Sequence, residues 1–155
     1  MNPNLPPPPP RLSASARDLS ENEIGTLILE SAIEMHRQLG PGLLETVYEA
    51  VLAHELTRRG LDVQRQVPIP ISYQDQSFDE GFRADLIVNQ KVILELKSVE
   101  KLSAAHRKQI QTYLKLSGLK LGYLLNFGAA LLKEGIVRAV NNLTEDEPRT
   151  ESLSL

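Results

Sequence analysis

Residues 82–98 constrain the fold more than any other stretch. Two runs rich in β-branched and aliphatic residues, 83–88 and 92–97, flank Asn89, Gln90 and Lys91, and asparagine favours turns. The pattern predicts a β-hairpin. Asp85, Glu95 and Lys97 interrupt its apolar residues. Side chains alternate along a strand, so Glu95 and Lys97 share a face with Ile93, while Leu94 and Leu96 point into a core. The place of Asp85 depends on register. A two-residue loop sets it opposite Leu94. A three-residue loop, or a bulge, sets it opposite Glu95 and gathers Leu86, Val88, Val92, Leu94 and Leu96 on the other face. The second register sorts the apolar residues cleanly, and register follows the hydrophobic pattern. Two carboxylates then stand about 5 Å apart, with an ammonium two residues along. One account is a divalent cation, Mg²⁺ or Mn²⁺, held by carboxylates, waters and phosphate oxygens. The other is a surface salt bridge, Asp85–Lys97 or Glu95–Lys97.

A chain of 155 residues with 41% hydrophobic content supports one domain with a single core. No apolar run is long enough to span a bilayer, so no membrane partner is expected. Prolines fill the place of a signal peptide's apolar region. The absence of cysteine excludes disulfides, thiolate catalysis and Cys-based zinc sites, and suits a cytoplasmic location. The net charge of −3 argues against indiscriminate binding to polyanions. The distribution is uneven, because residues 95–120 carry Lys97, Lys101, Arg107, Lys108, Lys115 and Lys120 against Glu95 and Glu100. Such a stripe suits a phosphate backbone, or is a solvated helix face.

The Pro-rich residues 1–19 read as a disordered leader, residues 20–142 as the folded domain, and residues 143–155 as a disordered acidic tail. Ser20 and Glu23 have capping-box spacing and open a helix over 21–39, with Ile24, Leu27, Ile28, Ala32 and Met35 or Leu39 as its apolar stripe. His36 is isolated there and reads as satisfied or exposed. A second helix, about 43–59, ends at Gly60 and places Glu45, Tyr48, Glu49 and Leu52 on one side. Residues 61–73 form a strand that Pro68 and Pro70 assign to an edge or a bulge. Residues 74–80 read as a polar turn. A third helix, about 103–117, has Ser103 as cap, Gly118 as stop, and Gln109 and Tyr113 as i, i+4 neighbours. Residues 122–127 and 136–141 read as further strands.

Gly42, Glu45 and Tyr48 form a GxxExxY string. With Phe82–Asp85, Glu95–Lys97, the Gln109/Tyr113 pair and 122–127, the chain resembles the GxxExxY proteins of the PD-(D/E)XK nuclease superfamily over about residues 23–142. The resemblance implies an α/β, restriction-endonuclease-like core, a mixed central β-sheet flanked by helices, and Mg²⁺-dependent (or Mn²⁺-dependent) cleavage of DNA or RNA. Asp85, Glu95 and Glu45, with the Leu96 carbonyl, would hold the metal. Lys97 would be the motif lysine, and Gln109, Tyr113 and Tyr48 would meet substrate. Ala84 stands where the motif has proline. A non-catalytic binding module on the same fold is the rival expectation. A domain of this size is expected to need a second copy or a partner to enclose a duplex.

Overall fold

A computed structural model describes residues 18–144. Helix α1 (Glu21–Leu39) starts at a capping box in which Ser20 Oγ accepts from Glu23 N–H and Glu23 accepts from Ser20 N–H. Helix α2 (Glu45–Arg58) follows the break at Gly40 and Gly42. Then come β1 (Val63–Tyr73), β2 (Gln76–Val88), β3 (Val92–Lys97), α3 (Ala104–Ser117), β4 (Leu121–Asn126), a 3₁₀ turn (Leu132–Gly135) and β5 (Ile136–Val140). Ser103 caps α3, and Gly118 ends it with φ of 73°, a backbone that glycine adopts without steric cost.

The five strands lie in chain order. All neighbours are antiparallel except β3 and β4, which run parallel because α3 crosses between them. The sheet is therefore mixed. On one face Ile24, Ile28 and Ala32 of α1 and Leu52 and Leu56 of α2 pack on Leu86, Val88, Leu94, Leu96, Leu121 and Leu125. On the other, Ile110 and Leu114 of α3 cover Ile87, Ile93 and Leu124. The architecture is α/β, a mixed sheet between helical layers, as a restriction-endonuclease-like core requires. Among the described residues no helix is long and apolar enough to cross a membrane.

Several sequence expectations change here. Met35 belongs to the core, whereas Leu39 is 41% exposed. Residues 76–80 are strand, so β1 and β2 form a long arm turning at Gln74 and Asp75. The arm's residues 72–80 are all exposed, which is why hydrophobic alternation does not reveal them. Its register shifts between Ile69 and Ile71, where a Cβ on Gly81 would fall 1.9 Å from the Ile69 carbonyl oxygen. Strand β1 is an edge strand, as its prolines require. Leu19 and Leu143 pack against the first core. The rest of the expected leader and tail, residues 1–17 and 145–155, lies outside the described residues.

Tyr48, expected to touch substrate, is 0% exposed and stacks on Phe127 at 4.5 Å. Its hydroxyl donates to Gly40 O at 2.6 Å and accepts from Leu43 N–H at 3.2 Å. A tyrosine enclosed in this way cannot meet a polymer directly; it fixes the loop that leads into α2 at Glu45. His36 is buried beside the same ring, with Nε2 2.9 Å from Phe127 O. Tyr48→Phe should lower stability by about 1–2 kcal/mol, the scale of two modest hydrogen bonds. Urea unfolding with a cooperative, two-state transition checks this.

Candidate functional site

The β2–β3 ladder pairs Val88 with Val92, Ile87 with Ile93 and Leu86 with Leu94, leaving a three-residue turn. Continued by one step, this register sets Asp85 opposite Glu95. The backbone ladder stops there and side chains replace it. Asp85 N–H donates to Glu95 Oε1 at 3.2 Å, and Leu96 N–H donates to Asp85 Oδ2 at 2.8 Å. Each carboxylate thus accepts from a backbone N–H of the facing strand.

The same rung continues into β1. Arg65 pairs with Leu86 and Val67 with Ala84, so Gln66 stands opposite Asp85. Here both strands change face. Val63, Leu86 and Val88 belong to the α1–α2 side, whereas Val67, Ile69, Phe82 and Ala84 belong to the α3 side. No residue is inserted; instead Gln66 takes a left-handed φ of 51°. Adjacent residues of a regular strand point oppositely, yet Arg65 and Gln66 both reach Glu49 on α2. Arg65 donates to Glu49 Oε2 at 3.1 and 2.9 Å, and Gln66 Nε2 donates to Glu49 Oε1. Gln66 Nε2 also donates to Asp85 Oδ1 at 3.3 Å.

Electrostatics follow from this crowding. Burial pushes the Glu95 carboxyl up to about 8, and the Asp85 charge adds to the effect; Lys97 opposes it. Burial also raises Asp85, helped by the charge of Glu49, while hydrogen bonds from Leu96 and Gln66 oppose the rise. Tyr113 is raised by burial and then by both carboxylates, so its phenol lies in their field; its ring stacks on Phe82 at 3.6 Å. The ion pairs among the described residues involve Arg37, Arg58, Arg59 and Arg65. Neither Asp85–Lys97 nor Glu95–Lys97 is one of them, so the salt-bridge account of the hairpin fails.

The expected residues do not all converge. Asp85 and Glu95 come together, with Lys97 on the Glu95 face and Leu96 turning its backbone toward β2. Glu45 is exposed at the start of α2, where Oε1 accepts from Ser98 N–H at 3.3 Å. Gln109 is exposed on α3, and its side chain makes no hydrogen bond among the described residues. No group of three acidic or histidine side chains among the described residues is close enough to hold an ion together. Glu49 and Gln66 were missed by sequence reasoning. Glu49 carried a faint signal, because it shares a helix side with Leu52, and a carboxylate on a buried side needs a partner such as Arg65. Gln66 carried none.

The carboxyl pair suits a small hard cation. Two carboxylates are pressed together, partly desolvated and incompletely offset by Lys97, and Mg²⁺ favours one or two such oxygens plus waters.

Without metal, a raised carboxyl pKa means that the folded state binds more protons than the unfolded state above about pH 4.5. Stability should therefore fall as pH rises from about 4.5 to about 8, then level off. Chemical denaturation in chelator across this range should show the decline. Glu95→Gln should flatten it and be no less stable than the parent at pH 8.

A family model described as the PD-(D/E)XK nuclease superfamily matches residues 22–139. No curated protein and no solved structure gives a significant match.

Proposed function

The chain belongs to the PD-(D/E)XK nuclease superfamily, and from that premise we propose that it is a Mg²⁺-dependent nuclease hydrolysing nucleic-acid phosphodiester bonds. The observation that carries the reading is the meeting of Asp85 and Glu95 where the β2–β3 ladder gives way to side chains. Within the superfamily, the string Gly42, Glu45 and Tyr48 supports membership of the GxxExxY proteins.

Asp85, Glu95 and the Leu96 carbonyl would hold the metal, and Glu45 would reach it through water. A bound Mg²⁺ supplies Lewis-acid polarisation of a phosphoryl oxygen and a water acidic enough to attack near neutral pH. Asp85 and Glu95 bind, and partial burial excludes competing water. Lys97, on the Glu95 face, orients the attacking water and offsets charge that develops on the phosphoryl oxygens. Tyr113 borders the site from α3, and on the same helix Gln109 and the exposed Arg107, Lys108 and Lys115 would offer contacts to substrate. Tyr48 acts through the loop it fixes.

The alternative is a non-catalytic nucleic-acid-binding or protein-interaction module on the same fold. One observation favours it: Glu45 does not join Asp85 and Glu95 in a three-carboxylate cluster. The retention of Asp85, Glu95 and Lys97 together favours the nuclease.

Two substitutions separate the readings. Glu95→Gln should weaken Mg²⁺ binding and abolish cleavage of a mixed DNA and RNA panel. Lys97→Ala should keep metal binding yet slow cleavage by about 10²-fold or more. Metal binding without cleavage of any substrate by the parent would favour the binding module.

A further inference from the structure

We propose that Gln66 is a positioning residue that fixes the Asp85 carboxylate in the plane facing Glu95, and that its left-handed backbone exists to present the amide for this purpose. The inference deepens the cation-site reading of Asp85 and Glu95, on which its metal-binding consequence rests.

Gln66, Asp85 and Glu95 occupy one rung across three strands. Glutamine has no special liking for positive φ, and a non-glycine residue held there inside a strand needs over-determining contacts. Gln66 has them at both ends. Arg83 Nη1 donates to its carbonyl oxygen at 3.2 Å, and its side-chain NH₂ meets Glu49 Oε1 and Asp85 Oδ1. An amide NH₂ has two hydrogens, and each finds a different carboxylate. The reversed amide would aim its oxygen at both, so the orientation is fixed by charge. Glu49, 5% exposed, is held in turn by Arg65.

The consequence for Asp85 is geometric. Oδ1 is anchored by Gln66 and Oδ2 by Leu96 N–H, so rotation about the carboxylate bond is arrested. Lone pairs on both oxygens remain for a cation, since a carboxylate offers about four acceptor sites. Without the Gln66 amide, Asp85 keeps Leu96 N–H and the Glu95 side chain as partners but loses the anchor that separates it from the charge of Glu49. Outer partners of this kind typically change metal affinity by about 10–100-fold.

Gln66→Gly is the informative variant, because glycine adopts the same φ readily, so the side chain with its amide is lost while the backbone conformation can persist. Gln66→Asn, which tolerates that φ but shortens the reach, carries the same readouts should the glycine variant fail to fold. Two measurements on the full chain decide the matter. In chelator, amide exchange at Leu96 should accelerate as Asp85 loses its fixed tilt; unchanged Leu96 protection would overturn the proposal. In calorimetric titration with Mn²⁺, the dissociation constant should rise by about 10–100-fold, and an unchanged value in a parent that binds Mn²⁺ would also overturn it. A parent that binds no Mn²⁺, or a Glu95→Gln variant that binds it equally well, would defeat the cation-site reading instead. The Leu96 measurement would still decide whether Gln66 positions Asp85.

Discussion

A β-sheet must satisfy its backbone donors, and here two of them are satisfied by the side chains expected to do the chemistry. Asp85 N–H meets the Glu95 carboxylate and Leu96 N–H meets the Asp85 carboxylate, just past the last backbone pair of the β2–β3 ladder. The carboxylates therefore cannot be removed without orphaning backbone groups. Fold and site are one object. Glutamine at 95 keeps an acceptor for Asp85 N–H, which makes it a cleaner probe than alanine.

The arrangement holds opposing tendencies in a small volume. Glu49, Asp85 and Glu95 bring negative charge toward one rung, and Gln66 sits in a backbone region it would not choose. Three influences counter this: Arg65 on Glu49, the Gln66 amide between Glu49 and Asp85, and the charge of Lys97 on Glu95. None neutralises the Asp85–Glu95 pair outright. The surrounding framework is correspondingly firm. Tyr48, Phe127 and His36 tie α1, α2 and the end of β4 together, while Ile93, Ile110 and Leu114 clamp α3 to the opposite face.

The sequence announced most of this framework and only half of the site. Ser20 with Glu23, and Ser103 with Gly118, marked helix ends because capping is local chemistry. Leu86, Val88, Val92, Leu94 and Leu96 marked the hairpin register because they sort together onto the face that packs on α1 and α2. The outer arm escaped because a strand exposed on both sides has no apolar alternation to display. Tyr48 was misassigned because an aromatic beside an acidic helix position reads alike whether it faces substrate or core. Gln66 was invisible for a different reason. Its role arises from a change of strand face, which depends on how β1 and β2 cross between two helical layers and leaves no mark on residue type.

The two prolines of β1 carry a consequence beyond strand assignment. An edge strand displays unpaired donors and acceptors to any chain that drifts alongside, and natural edges are blunted against such encounters. Pro68 and Pro70 have no N–H to offer, and both lie exposed on the outermost strand. A neighbouring molecule finds gaps where it needs a continuous row of donors. The chain thus carries its own safeguard against self-templated aggregation along that border, at the side of the sheet where Gln66 also lies.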